Sequence, residues 1–229
     1  MPTRFFHESE KQFDTSFIAS AIAKYGQHIL IGGDPGYGDE FEDAMRQCDN
    51  RGAYKHVYLT GPGMEEWSKE EAEEIKQNAK SIGIDVSKST WKKTWFSTGW
   101  ITKVEEWFTT YNALGFYSAE IDNIDAALSN DPKKLVKFYL HLKQFCERNK
   151  IQTKLMVKNL SEAELKEVIA NKSSLDGFLA PWGMFENGTG DAKAQTKLAA
   201  QLGIMAVTPL NGLRPTEKYG TIRTGIPAL

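Results

Sequence analysis

Cysteine is nearly absent: only Cys48 and Cys146 occur among 229 residues, far apart and within stretches that read as helical. That excludes a disulfide-stapled scaffold, and both are expected as buried free thiols. A chain of this length buries roughly 70% of its unfolded surface, enough to fold without a structural metal or cross-link. Charge of one sign is lacking too. Against 28 basic residues stand 30 acidic ones, for a net charge of −2. No basic stripe is present to neutralise phosphates, so no nucleic-acid partner is expected. No run approaches the roughly 18 apolar residues of a membrane span. The opening residues Met1 to Glu8 lack the apolar core of a secretion signal, so the chain is expected to be soluble and off the membrane. A soluble monomer acting outside the cell or on a cell wall fits this composition, which leaves the compartment open.

Nucleotide signatures are missing as well. The stretch Gly32 to Gly38 holds four glycines, but no Lys-Ser/Thr of a P-loop follows and no dinucleotide fingerprint is intact. Histidine is scarce. His28 and His56 begin predicted strands, His141 lies in a predicted helix and His7 is near the terminus. No zinc-type cluster or EF-hand spacing appears, and neither a metal nor a cofactor is expected.

What is present is alternation. Apolar strand-like runs at residues 28–33, 55–60, 116–122, 153–158, 177–182 and 204–208 alternate with amphipathic stretches at 13–25, 40–50, 68–83, 101–113, 132–149, 162–170 and 192–202. Pro132 suits a helix first turn, and Ser161 with Glu164 forms a capping box. A short third strand is expected between 84 and 97, and the tail from Asn211 reads as irregular. Strand–helix alternation with parallel strands predicts an α/β fold. Six clear strands and one or two doubtful ones favour a (β/α)8-type TIM barrel, complete or irregular, in a single domain over residues 1–229.

Functional groups of such a barrel gather where strands run out at their C-terminal ends. Those positions carry Asp34, then Glu120, Asp122, Asn123 and Asp125, then Lys158 and Asn159, then Trp182 and Glu186. Glu120 and Asp122 alternate on one strand and so leave the same face. Two crowded carboxylates there make a candidate acid–base centre, since crowding and desolvation push one of them toward protonation. Six tryptophans are many for this length. An indole at a barrel mouth can stack on the apolar face of a sugar ring, and Trp182 and Trp95 are the candidates.

The run Tyr117-Ser118-Ala119-Glu120-Ile121-Asp122-Asn123-Ile124-Asp125 resembles the acid-rich segment of the endo-polygalactosaminidase-like glycoside hydrolases. Leu155-Met156-Val157-Lys158-Asn159-Leu160 is similar to that family's strand ending in Lys-Asn. The resemblance covers residues 103–209, about half the chain. It implies a barrel that hydrolyses an amino-sugar polymer, such as a cell-wall or capsule polysaccharide, with Asp122 as one working carboxylate. The second acid does not transfer: where the family carries Asn-Glu, this chain has Pro181-Trp182, leaving Glu186 or Glu120 for the role. Asp34, Asn123, Asp125, Lys158, Asn159, Trp182 and Trp95 are then expected to contact substrate. The alternatives are a non-catalytic carbohydrate-binding barrel and a metal-dependent lyase or aldolase.

Overall fold

Strand and helix periods alternate as the sequence predicts. The computed structural model describes residues 4–6, 28–32, 38–59, 63–65, 77, 88–89, 93–95, 99–122, 124, 128, 130–185, 192–209 and 221–224. The helices expected over 13–25 and 68–83 lie outside the described residues, Gln77 apart. In chain order the elements begin with β1 (Arg4–Phe6), β2 (His28–Gly32), α1 (Gly38–Asn50) and β3 (Tyr54–Leu59). Three short strands follow, β4 (Gly63–Glu65), β5 (Lys88–Ser89) and β6 (Lys93–Trp95). Then come α2 (Trp100–Ala113), β7 (Ser118–Ile121), α3 (Pro132–Arg148), β8 (Lys154–Lys158) and α4 (Glu162–Ala170). A 3₁₀ turn at Lys172–Leu175, β9 (Leu179–Met184), α5 (Ala192–Leu202), β10 (Met205–Pro209) and β11 (Thr221–Thr224) complete the described elements.

Eight strands close a barrel in the order β1-β11-β10-β9-β8-β7-β3-β2. All neighbours are parallel except β11, which runs antiparallel to both β10 and β1. Two expectations are corrected here. The tail is not wholly irregular, because Thr221–Thr224 supplies the closing strand. Among the described residues between 84 and 97 no barrel strand is found; β4, β5 and β6 form a separate antiparallel sheet, and β3 pairs directly with β7.

The helix boundaries follow from local chemistry. Asp131 caps α3 by accepting from the Lys133 and Lys134 amides, with Pro132 behind it where no amide hydrogen is needed. Ser161 and Glu164 close the capping box of α4, as the sequence predicts. Strand alternation then sorts side chains into two cores. Outward residues such as Val57, Ala119, Ile121, Leu155 and Val157 pack with Val104, Phe108, Leu135, Leu142 and Val168 of the helices. Inside the barrel, Leu30, Met156, Ala180 and Met184 form a smaller apolar layer with Tyr58 and Trp182. Cys48 and Cys146 are free and buried. Burial pushes their thiols up to about 11 and about 12 respectively, so neither is a thiolate at neutral pH.

β9 departs from its expected span for a reason. Leu155 pairs with Leu179 but Val157 pairs with Gly183, so between these pairs one residue of β8 opposes three of β9. The bulge accommodates Pro181, which has no amide hydrogen for the ladder, and carries the strand on to Met184. Trp182 therefore does not end a strand at the mouth. Its indole packs edge-on against His28, His56 and Tyr117, at centroid distances of 4.6, 5.5 and 5.4 Å. His28 opens β2, and Tyr117 precedes β7, so this cluster occupies the N-terminal end of the barrel.

Within that cluster the fully buried His56 is bonded at both ring nitrogens. Nδ1 lies 2.6 Å from Ser118 Oγ, and Nε2 lies 3.0 Å from His28 Nδ1. The facing nitrogens share one hydrogen; protonating both rings would set N–H against N–H. Burial lowers the pKa of both rings, and His28 lowers that of His56 further. Because the unfolded chain binds these protons first, this stabilisation is complete above pH 6.5 and is lost as pH falls below it. The urea midpoint is expected to be flat from pH 8 to 7 and to decline between pH 6.5 and 5; a rise on acidification would contradict the arrangement. A second expectation concerns Gly183. A Cβ there would press into the Val157 Cγ2 methyl and lie 3.0 Å from Ile204 Cδ1. Gly183→Ala should cost about 1–3 kcal/mol in chemical denaturation.

Candidate active site

Parallel register places the polar groups. Tyr58 pairs with Glu120, and Glu120 pairs with Met156 two residues before Lys158. Tyr58, Glu120 and Lys158 thus alternate onto the inner face of neighbouring strands near their C-terminal ends. Asp122 follows the last residue of β7, held there by its amide, which donates to Leu59 O at 2.8 Å.

The side chains converge on one ammonium. Lys158 Nζ lies 3.1 Å from Glu120 Oε1 and 3.2 Å from Asp122 Oδ2. It also sits 4.5 Å from the centroid of the Tyr58 ring, whose hydroxyl donates to Asp122 Oδ2 at 2.9 Å. Burying Glu120 completely would be prohibitive for a lone carboxylate, and the ammonium with the ring face offsets that cost. The crowding expected from sequence is therefore relieved by a cation between the two acids. That ammonium occupies the place a metal ion would need in order to bridge them.

The two acids are not equivalent. Glu120 is inaccessible, whereas the Asp122 side chain is 23% exposed. Asp122 opens on a cleft of about 300 Å³ whose walls include Lys158, Asn159, Asn130, Tyr139 and Glu164. Asn130 and Asn159 adopt left-handed backbone at φ 52° and 50°, a conformation asparagine tolerates better than most residues and one that concentrates at functional sites. The Asn159 amide donates to Met184 O at 2.8 Å, tying the end of β8 to the end of β9.

Among the residues singled out in the sequence, the structure brings together Asp122, Glu120, Lys158 and Asn159. Trp182 is at the opposite end of the barrel, in the ring cluster. Trp95 belongs to β6 of the separate small sheet, paired with Gly63 and Lys88. Asp34, Asn123, Asp125 and Glu186 lie outside the described residues. Glu186 follows Met184, the last residue of β9, by two positions. Sequence reasoning passed over Tyr58, Tyr139, Asn130 and Glu164. Tyr58 was detectable, since it shares the inward alternation of β3 with His56; Tyr139 and Glu164 read only as a helix face and a cap.

No known protein family matches the sequence, and no curated protein matches it. Solved structures do resemble the fold. The glycoside hydrolase domain of PelA from Pseudomonas aeruginosa superimposes with a TM-score of 0.51 at 11% identity, over 91% of this chain and 94% of that domain. The cyclic alpha-maltosyl-(1→6)-maltose hydrolase of Arthrobacter globiformis gives a TM-score of 0.51 at 11% identity, over 83% of this chain and 54% of that enzyme. Eubacterium rectale Amy13B gives 0.50 at 10% identity, over 74% and 45%. At such identities the likeness is one of fold: the chain has the barrel architecture that these glycoside hydrolases share.

Proposed function

We propose that the chain is a glycoside hydrolase acting on an amino-sugar polysaccharide, with Asp122 as the carboxylate that meets the substrate. The observation that carries this reading is the partial exposure of Asp122 on the cleft while Lys158 and Tyr58 fix the same carboxylate oxygen from behind. Such a group is oriented without being withdrawn, as a nucleophile or water-activating base must be. Glu120, fully buried, positions Lys158 and takes no part in substrate contact.

Hydrolysis of a glycosidic bond needs a second acid to protonate the departing oxygen. Glu186, two positions beyond the last residue of β9, is the residue assigned to it; β9 neighbours β8 in the barrel, and Lys158 ends β8. Asp122 then either attacks the anomeric carbon, giving a glycosyl ester that water cleaves, or takes a proton from a water that attacks in its place. In both routes the proton donated by Glu186 leaves with the alcohol product. The resemblance of the Glu120-to-Asp125 segment to the endo-polygalactosaminidase-like enzymes supports an amino-sugar substrate. Barrel-fold likeness to glycoside hydrolases is compatible with this chemistry and does not by itself select it.

The test is incubation with poly-N-acetylgalactosamine, its de-N-acetylated form, chitosan and peptidoglycan, with products sized by mass spectrometry. Wild-type protein should shorten at least one amino-sugar polymer, and Asp122→Asn should lower kcat by about a thousandfold. Binding without any shortening would instead indicate a carbohydrate-binding barrel. A further expectation concerns the clamp. Lys158→Met leaves Glu120 buried without its cation, and should lower folding stability by about 3–5 kcal/mol in urea titration. Combining it with Glu120→Gln should recover part of that loss, without restoring activity.

A further inference from the structure

Left-handed backbone is used for two different purposes in this chain. Among the described residues, five glycines and three other residues, Asn130, Lys150 and Asn159, have positive φ. Lys150 is explained by its helix. It follows Asn149, the C-cap of α3; the Lys150 amide donates to Glu147 O and the Ile151 amide to Cys146 O. These paired bonds end a helix through one left-handed residue. Gly115 and Gly203 close α2 and α5 by the same pair of bonds. Asn130 and Asn159 close no helix. Asn130 precedes Asp131, the N-cap of α3, and Asn159 follows Lys158, the last residue of β8. Both therefore stand in connections that leave the C-terminal ends of the parallel strands β7 and β8, and both border the cleft on which Asp122 opens. Asn130 is exposed and Asn159 partly so, which puts both within reach of a ligand in that cleft.

Glycine would take the same backbone without the crowding that a Cβ meets there. An asparagine in its place brings a carboxamide to the cleft, with both donor and acceptor. Asparagine often serves a turn by bonding nearby backbone. The side chains of Asn149 and Asn171 do so, donating to Phe145 O and Glu167 O at 2.9 Å. The Asn130 carboxamide bonds no described residue in this way, while its backbone is fixed by the Asp131 amide, which donates to Leu128 O at 3.3 Å. We propose that the Asn130 carboxamide is a substrate-binding group, hydrogen-bonding a hydroxyl or acetamido group of the sugar next to the bond at which Asp122 acts. Asn159 supplies a second carboxamide on the same cleft. The assignment rests on the hydrolase reading above and extends it to the connection between β7 and α3. Its chemistry is complementary: hydroxyl and acetamido groups are neutral and, like a carboxamide, both donate and accept. Backbone already held in the turn has little freedom left to lose on binding.

The experiment uses Asn130→Gly, which deletes the carboxamide and eases the left-handed backbone. In an Asp122→Asn background, it is titrated calorimetrically with hexamers of galactosamine and of N-acetylgalactosamine. Binding should weaken about fivefold while the melting temperature holds or rises, a combination that a merely structural asparagine would not give. Lys150→Gly in the same background is the control. It eases the same kind of backbone at an exposed residue ahead of β8, away from the cleft, and should leave affinity unchanged. Asn130→Asp keeps the shape and removes the donor, and should also weaken binding of the uncharged N-acetylgalactosamine hexamer. Loss on both hexamers from Asn130→Gly identifies a hydroxyl partner, and loss confined to the N-acetylgalactosamine hexamer identifies the acetamido group; either supports the assignment. Unchanged affinity in both Asn130 variants, or a matching loss from Lys150→Gly, overturns it. Should wild-type protein cleave the hexamers while Asn130→Gly alone shifts neither affinity nor KM, the assignment is wrong and the hydrolase reading stands. Should wild-type cleave neither hexamer and Asp122→Asn bind neither, the hydrolase reading fails and the assignment with it.

Discussion

The site depends on one buried ammonium. Lys158 reaches from the end of β8 to Glu120 and Asp122 at nearly equal distances, 3.1 and 3.2 Å. Without it the upper layer of the barrel interior would hold two like charges on one strand. With it, Glu120 serves as a fixed counter-charge deep in the barrel, and Asp122 is left as the accessible end of the same network. The arrangement is worth little as stabilisation, because desolvating an ion pair consumes much of what its attraction returns. Its value is orientation: an acid held by a cation and by the Tyr58 hydroxyl has few conformations to lose when substrate arrives.

The barrel interior is polarised along its axis. At the N-terminal end, His56, His28 and Ser118 form a neutral hydrogen-bonded chain beneath the rings of Trp182 and Tyr117. An apolar layer of Leu30, Met156, Ala180 and Met184 comes next, and the charged cluster lies toward the C-terminal ends. Neutral polar groups tolerate burial once bonded, whereas charges need the opening that the C-terminal rim provides. That ordering explains why the histidines serve structure and the carboxylates are the candidates for chemistry. It also explains why acid should weaken the fold through its histidine end, where burial holds both rings neutral.

Much of this was legible in the sequence where local chemistry decides the outcome. The alternation of Glu120 with Asp122, the Ser161–Glu164 box and the proline at the start of α3 depend on neighbouring residues, and each reads directly. The failures concern pairing between distant segments. Trp182 seemed to end a strand, yet the bulge opposite Leu155 and Val157 absorbs Pro181 and extends β9. Thr221–Thr224 carries too weak a pattern for its antiparallel closing role to be recognised without its partners β1 and β10. Tyr58 shares the inward alternation of β3 with His56, but its role as donor to Asp122 follows only from the pairing of β3 with β7.

The short connection from β8 to α4 shows how the fold concentrates these constraints. Between Lys158 and Glu164 lie only Asn159, Leu160, Ser161, Glu162 and Ala163. This stretch contains the ammonium that organises the acids, a left-handed asparagine whose amide fixes the end of β9, and the serine that orients Glu164. Leu160 is buried and its carbonyl accepts from the Gln195 side chain of α5 at 3.0 Å. The connection is thus held from the sheet, from the core and from the next helix. Groups carried on such a rigid segment keep their mutual geometry better than groups on a free loop. A shift in any of those anchors would therefore move Lys158, and with it the charge that fixes Asp122.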